Sequence, residues 1–259
     1  MDLQDWSRIE GLDREYYQDI PDYAYTNVQP PDAGSLWQQL EKIYLNARDC
    51  DTYGKDENAW CLDVVQPLLN SVLEGTMLRQ SQQIEKDLLP TAANSLSKLN
   101  KKADYSFEFS GGPDAFDLYQ KVSFGGLGMN ISQTTDAYTK LVALFSGLEV
   151  KPDDGGKKEA LAQLTIWLTA GIRRTAQLYQ IAEEGSAEGH VPPTLGFTVI
   201  GHDWHIYMAY DLGKEMHVIG PISTIYADTR SIYGIFKIRD LLRRAIQYAE
   251  EDYWPWLCD

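Results

Sequence analysis

The sequence has few cysteines, few basic residues relative to acidic ones, and no long apolar run. Its three cysteines, Cys50, Cys61 and Cys258, include no CxxC pair. Neither a disulfide framework nor a zinc site is therefore expected, and a reducing compartment is the default. The first residues lack the apolar segment of a signal peptide, and no stretch approaches the ~20 apolar residues of a membrane span. These absences predict an intracellular protein, cytoplasmic or nuclear, with no membrane contact.

Acidic residues outnumber basic ones by 38 to 23 among 259 residues, so the formal net charge is -15. Nucleic acids and anionic membranes attract basic surfaces, so this charge disfavours general binding to either. More than half of the negative excess falls within residues 1–63, and the remaining chain is closer to balance. Aromatic residues make up 12% of the chain, which supplies enough surface to bury in a core and excludes a disordered protein.

Two regions differ in composition. Residues 1–33 are rich in Asp, Tyr and Pro without a helical or strand period, and we interpret them as an acidic N-terminal arm. Residues 34–259 combine helical and strand patterns, which predicts one α/β domain. Its expected architecture is a mixed β-sheet flanked by helices, with a helical extension before the first strand.

The apolar spacing predicts the positions of the individual elements. Helices are predicted from Ser35, a suitable N-cap, through Tyr44, and over 57–79 with a kink at Pro67, 134–141, 157–183 and 232–248. Strands are predicted over 104–109, 142–151, 195–200, 204–210 and 216–219. Residues 81–102 are polar and are interpreted as a helix and a loop. Ser146 and Gly147 interrupt one strand, which predicts that the strand is locally loosened or bulged.

Three side chains at predicted strand ends favour metal-dependent hydrolysis of phosphodiesters: Asp104, Glu149 and Lys151. Because side chains alternate along a strand, Glu149 and Lys151 project from one face while Val150 points into the core. The Asp104 and Glu149 carboxylates and the Val150 carbonyl are oxygen ligands that suit Mg²⁺ or Mn²⁺. Such an ion would polarise a phosphate and lower the pKa of a bound water, which Lys151 would orient. The alternative is a solvated ion pair of Glu149 and Lys151 at a strand end.

The sequence resembles fungal PD-(D/E)XK nuclease-like proteins, which have a restriction-endonuclease-like fold. The resemblance covers about residues 35–250, and its segments are 57–60, 65–69, 103–105, 133–138, 147–151, 159–170 and 201–204. Its most specific part is the Glu-x-Lys strand end at 149–151 followed by the helix pattern A-x-x-Q-L-x-x-W-L-x-A at 160–170.

The resemblance implies that Asp104, Glu149 and Lys151 form the catalytic core and that Glu57 is a further metal ligand. The alternative for Glu57 is an acid in the first turn of a helix, where the helix dipole favours negative charge. The literal Pro-Asp dipeptide of the family name falls at residues 113–114. We prefer Asp104 because it opens an alternating strand.

The resemblance also implies that Gln163 and Trp167 position the substrate and the site, as the QxxxY element does in related nucleases. The alternatives are a plain amide on a helix face for Gln163 and a core anchor for Trp167. Arg173 and Arg174 are further candidates for substrate positioning. They belong to a basic set whose alternative is scattered surface charge, with the other members at 157, 158, 239, 243 and 244.

Two functions remain open at the level of sequence. The first is a Mg²⁺-dependent nuclease, whose partner is a nucleic acid. The second is a repurposed or inactive nuclease fold that acts as a small-molecule enzyme or as a protein- or ligand-binding module. The acidic composition favours the second function, and the Asp…Glu-x-Lys set favours the first. The sequence does not indicate an oligomeric state.

Overall fold

The computed structural model describes residues 33–82, 103–109, 113–124, 130–182, 191–213 and 215–258. They form a seven-stranded mixed sheet flanked by helices, and further helices precede the first strand. The predicted restriction-endonuclease-like α/β class and the N-terminal helical extension are therefore confirmed. The predicted acidic arm lies outside the described residues, apart from residue 33, which begins the first helix.

The helices fall into two groups in the chain. Those before the sheet are α1 (Ala33–Thr52), α2 (Glu57–Ala59) and α3 (Gln66–Leu73), and a π-helical segment, Trp60–Val65, joins α2 to α3. The others are α4 (Pro113–Phe124), α5 (Lys157–Ala182), α6 (Ile232–Tyr248) and α7 (Trp254–Cys258). A second π-helical segment, Ala249–Tyr253, joins α6 to α7.

The sheet has the strand order β1-β2-β3-β4-β5-β6, and β7 pairs with β5. Its strands are β1 (Leu78–Ser81), β2 (Tyr105–Phe109), β3 (Leu144–Lys151), β4 (Thr194–Ile200), β5 (Asp203–Asp211), β6 (Met216–Ile219) and β7 (Ala227–Asp228). Only the β3–β4 pair among these is parallel, and α5 makes the crossover between its two strands.

Helices cover both faces of the sheet. Helix α5 repeats apolar residues at intervals of three and four, so one of its faces is buried against the sheet. Its core residues are Leu164, Trp167, Leu168 and Ile172. Helices α1, α3 and α6 cover the opposite face with a larger core that contains Phe145, Leu148 and Val150 of β3. Strand β3 is therefore covered on both faces, and only its two end residues are half-buried.

The predicted helix over 57–79 is wrong at its C-terminal end. Helix α3 stops at Leu73, and Leu78–Ser81 forms β1 instead. Gly75 follows the helix with φ +79°, a left-handed conformation that ends helices and favours glycine. A kink was predicted at Pro67, and the structure has an irregular segment there. The turn before Pro67 is π-helical, and Pro67 lies in the first turn of α3.

Two further predictions differ from the structure. The helix predicted over 134–141 is reduced to a 3-10 turn, Thr139–Leu141. The Asp136 carboxylate accepts hydrogen bonds from the backbone N–H groups of Tyr138 and Thr139, which competes with a regular helix. Helix α4 was not predicted, and it begins at Pro113 of the literal Pro-Asp dipeptide. Most of the segment 81–102 lies outside the described residues. No described helix combines the length and hydropathy needed to cross a membrane.

Candidate functional site

Strand β3 approaches the candidate site through a bulge at Ser146. Tyr105 pairs with Leu148, whereas Phe107 pairs with Phe145, so β3 contains one extra residue between the two pairs. Ser146 has φ +65°, a left-handed conformation that occurs in one type of bulge and that a non-glycine residue rarely adopts. The bulge predicted at Ser146 and Gly147 is confirmed.

The bulge determines which residues of β2 and β3 face each other. When the Tyr105–Leu148 pair is continued by one residue, Asp104 lies opposite Glu149. Directly opposed residues of antiparallel strands project from the same face. Without the extra residue Asp104 would lie opposite Leu148, a core residue on the other face. The bulge therefore brings the two carboxylates to one side of the sheet.

Trp167 of α5 packs on this bulge. Its indole Nε1 donates a hydrogen bond to the Ser146 carbonyl at 3.3 Å. A Cβ on Gly147 would lie 2.4 Å from Trp167 Cδ1, so only glycine fits beneath the ring. Trp167 is itself 1% exposed. It therefore acts on the site through the backbone of β3, and its predicted contribution to substrate positioning stays a prediction.

Asp104 is anchored to the backbone of the neighbouring strand. Its Oδ2 accepts a hydrogen bond from the Val150 N–H at 2.8 Å. Val150 is fully buried and Glu149 is 1% exposed. Asp104 precedes β2 by one residue, so the two candidate ligands come from adjacent strands and are held by main-chain geometry.

Lys151, the last residue of β3, forms an ion pair with Glu57, the first residue of α2. Lys151 Nζ lies 2.7 Å from Glu57 Oε2, and the two side chains are 12% and 40% exposed. Burial alone would lower the pKa of Lys151. The hydrogen bond with Glu57 and the negative charges of Asp104, Glu57 and Glu149 outweigh that effect, so the pKa of Lys151 is raised above its ordinary value. Lys151 is therefore a stable cation surrounded by three carboxylates.

The structure brings Asp104, Glu149, Lys151 and Glu57 into one cluster at the end of β3. The carboxylates supply hard oxygen donors of the kind that Mg²⁺ and Mn²⁺ bind, so the chemistry of the donors fits such an ion. Within the described ranges, however, no group of three or more His, Cys, Asp or Glu side chains has a geometry that could hold a metal. Glu57 bonds to Lys151 in this state, so its assignment as a metal ligand stays a prediction.

The other predicted site residues lie elsewhere on α5. Gln163 is half-buried and donates to Glu159 Oε1 at 3.4 Å, one helical turn earlier. Arg173 is exposed, whereas Arg174 is 6% exposed and donates to the carbonyls of Asn130 and Ile131. Arg174 therefore ties an adjacent segment to α5.

The course of α5 separates the two arginines from the cluster. Because α5 follows β3 through a short turn, it runs back along the strand, and Trp167 lies beside Gly147. Arg174 lies about 10 Å further along the helix from Trp167. Lys151 lies about 13 Å from Gly147 in the opposite direction. A contact of Arg173 or Arg174 with a substrate stays a prediction, and it would occur far from Lys151.

A buried thiol beside the cluster was missed in the sequence. Cys61 is 9% exposed, and its carbonyl accepts a hydrogen bond from the Tyr105 hydroxyl at 3.0 Å. Burial raises the pKa of the Cys61 thiol to about 12, and the negative charges of Asp104 and Glu57 add to the effect. Cys61 and Glu57 lie four residues apart in a helical region, a spacing that places them on neighbouring turns.

The turn between β4 and β5 lies beside the end of β3. The Gly201 N–H donates to the Lys151 carbonyl at 2.8 Å, and a Cβ on Gly201 would lie 2.7 Å from Asp153 Oδ1. His202, the next residue, is 6% exposed, and its Nδ1 lies 2.8 Å from Thr229 Oγ1. Burial lowers the pKa of His202, and the Arg230 charge lowers it further. His202 is thus a neutral packing residue of the turn.

A model of the PD-(D/E)XK nuclease superfamily matches residues 8–254 of the chain. This match covers the four residues of the cluster and every described strand. No curated protein and no solved structure matches the chain.

Proposed function

The chain belongs to the PD-(D/E)XK nuclease superfamily, and we propose that it is a Mg²⁺- or Mn²⁺-dependent nuclease that hydrolyses phosphodiester bonds with Asp104, Glu149 and Lys151. One observation carries this proposal. The bulge at Ser146 places Asp104 opposite Glu149, and Lys151 follows Glu149 by two residues. Two carboxylates and a lysine therefore meet at one strand end.

Each residue of the cluster has a distinct role in this proposal. Asp104 and Glu149 would hold the divalent ion with the Val150 carbonyl, and Glu57 would join them after releasing Lys151. The ion supplies polarisation of the phosphate and a lowered pKa of a bound water. Lys151 keeps its proton because its pKa is raised, so it would orient that water and offset negative charge that develops on the phosphate.

The test compares the parent protein with Lys151→Ala on labelled single- and double-stranded DNA and RNA, with Mg²⁺, Mn²⁺ or EDTA. Lys42→Ala removes an exposed lysine of α1 and is the matched control. We expect metal-dependent cleavage that Lys151→Ala reduces by ~100-fold or more and that Lys42→Ala leaves unchanged. Equal cleavage by the parent and Lys151→Ala would contradict the assignment of the active site to this cluster.

The net charge of -15 supports a second candidate function. A strongly acidic protein repels phosphodiesters in bulk, so the fold could instead serve a small-molecule enzyme or a protein- or ligand-binding module. The two functions differ in metal affinity. Calorimetric binding of Mn²⁺ that Asp104→Asn and Glu149→Gln abolish supports the nuclease, whereas an absence of both cleavage and metal binding supports the second candidate.

A further inference from the structure

A groove with the opposite charge to the protein as a whole lies along α6. It has a volume of about 630 Å³ and is bordered by α6 and by the segment that leads into β7. Four cationic residues of α6 line it: Lys237, Arg239, Arg243 and Arg244. Asp240 is the one acidic residue that lines it, so the groove carries an excess of positive charge within a protein of net charge -15.

Carboxylates within the described residues neutralise only part of this positive charge. Arg244 Nε donates to Asp240 Oδ2 at 2.9 Å. Arg243 is exposed and has no ion pair with any described residue. Burial lowers the pKa of Arg239 to about 10, and the neighbouring Arg243 charge contributes to that shift. Arg239 is 4% exposed and donates to the hydroxyl and the carbonyl of Ser71, whereas Arg243, four residues later in α6, is exposed and can contact a bound anion.

Aromatic and apolar side chains alternate with these cations. Tyr226 is 50% exposed and Ile225 is 39% exposed, although both line the groove. Lys237 Nζ lies 5.3 Å from the ring centroids of both Tyr226 and Tyr233. Lys237 lies over one face of the half-exposed Tyr226 ring, so the remaining ring surface offers a stacking surface for a base and Lys237 a charge for its phosphate.

The groove and the candidate site lie at the same end of the strands of the sheet. Lys151 of β3 pairs with Ile200 of β4, Ile200 pairs with Asp203 of β5, and Asp203 pairs with Asp228 of β7. At ~4.8 Å per strand, Lys151 and Asp228 are about 14 Å apart. The Tyr226 hydroxyl donates to Asp203 Oδ1 at 3.1 Å, so the stacking ring is held at this end of the strands.

We propose that the α6 groove binds single-stranded nucleic acid, with phosphates at Lys237 and Arg243 and a base on the ring of Tyr226. This proposal deepens the nuclease function and rests on it only for the further step, that the same strand continues to Lys151. An unpaired strand is favoured over a duplex because base stacking on Tyr226 requires an exposed base face. The groove also reconciles an acidic protein with an anionic substrate.

The test measures fluorescence anisotropy of labelled single-stranded DNA and RNA, without divalent metal and over a range of salt concentrations. Lys237→Ala/Arg243→Ala removes two groove cations, and Lys42→Ala/Arg48→Ala removes one exposed lysine and one exposed arginine of α1 as the matched control. We expect the groove variant to bind at least ~10-fold more weakly and the slope of log K against log salt to lose about 1.4, at ~0.7 per contact with a single strand. The control keeps the affinity and slope of the parent.

A second pair of variants isolates stacking from charge. Tyr226→Phe removes the hydrogen bond to Asp203 and keeps the ring, whereas Tyr226→Leu removes both. We expect Tyr226→Phe to retain most of the affinity and Tyr226→Leu to lose about 10-fold, with the thermal unfolding midpoint checked for each. Equal losses for Phe and Leu, or an affinity for duplex as high as for a single strand, would overturn the stacking role.

The groove and the nuclease function fail in distinguishable ways. Parent protein that binds single strands through the groove but never cleaves them contradicts the nuclease proposal and supports the groove. Parent protein that cleaves with Lys151 but binds equally well as Lys237→Ala/Arg243→Ala contradicts the groove alone. Binding of an acidic polypeptide such as polyglutamate as tightly as a single strand of equal charge also contradicts it, because the site would then recognise charge alone.

Discussion

Lys151 Nζ and Glu57 Oε2 lie 2.7 Å apart, although 94 residues separate them in the chain. The contact joins the end of β3 to the start of α2 and places a cation among the carboxylates of the candidate site. It has two consequences. In this state Glu57 stabilises the charge of Lys151. In a metal-bound state Lys151 and the ion would compete for the Glu57 carboxylate.

Glu57→Gln is expected to lower the pKa of Lys151. Removal of the Glu57 charge deletes an attraction and weakens a charge-assisted hydrogen bond, both of which raise this pKa, while burial continues to lower it. Lysine side chains labelled by reductive ¹³C-methylation report the pKa directly by NMR titration. Glu74→Gln, a change at an exposed glutamate after α3, is the matched control. An unchanged Lys151 titration in Glu57→Gln would contradict the ion pair.

The raised pKa of Lys151 also predicts how stability depends on pH. A lysine with a raised folded-state pKa adds stability that is fully present below its ordinary pKa of 10.5 and is lost as the pH rises through the folded-state pKa. We therefore expect the free energy of unfolding to fall more steeply above pH 10.5 in the parent than in Lys151→Met. Urea unfolding between about pH 9 and 12 measures both slopes, and parallel slopes would show that Lys151 gains no proton affinity on folding.

Ser146 should tolerate glycine and resist a β-branched residue. At φ +65° a β-branched side chain costs ~1–2 kcal/mol more than glycine does, because its Cβ substituents clash with the backbone. We expect Ser146→Val to lower the free energy of unfolding by at least ~1 kcal/mol and Ser146→Gly to stay within ~1 kcal/mol of the parent. Chemical denaturation measures both. Valine and glycine variants of equal stability would be incompatible with a left-handed conformation at Ser146.

Gly147→Ala tests the contact between β3 and α5. The new Cβ would lie 2.4 Å from Trp167 Cδ1, so either the ring or the strand must move, at a cost of ~1–3 kcal/mol. Gly34→Ala is the control, because nothing lies within 4 Å of its Cβ position in α1 and alanine favours the helix by ~0.5–1 kcal/mol. We expect the two substitutions to change the unfolding midpoint in opposite directions. A neutral Gly147→Ala would show that the ring does not press on β3.

Local patterns in the sequence predicted the centre of the domain well. The β3–α5–β4 unit combines two largely apolar strand segments with a helix whose apolar residues recur at intervals of three and four. Its observed bounds, Leu144–Lys151, Lys157–Ala182 and Thr194–Ile200, lie close to the predicted ones. The interruption at Ser146 and Gly147 predicted a bulge, because a glycine inside a strand weakens the regular pairing and often marks a bulge. Helix α4 was missed because Gly111, Gly112 and Pro113 are residue types that are typical of turns.

The arrangement of the site depends on contacts that no local pattern encodes. Glu57 could be interpreted as a first-turn helix acid or as a metal ligand, and only the three-dimensional structure shows that it reaches Lys151. The same holds for the register of β2. A one-residue shift decides whether Asp104 faces Glu149 or the core residue Leu148, and the sequence predicted the bulge without that consequence.

The cysteines provide a last prediction, which concerns the packing around the candidate site. Burial raises the pKa of the Cys61 thiol to about 12 and also raises the pKa of the Cys50 thiol, and both side chains are buried. Only the thiolate attacks a disulfide reagent, so the raised pKa values keep both thiols unreactive near neutral pH in the folded protein. We expect Cys50 and Cys61 to react with Ellman's reagent only after unfolding and the half-buried Cys258 to react first. Cys258→Ser should then abolish the fast phase of the reaction. A fast phase that disappears in Cys61→Ser instead would show that the Cys61 thiol beside Tyr105 is open to solvent.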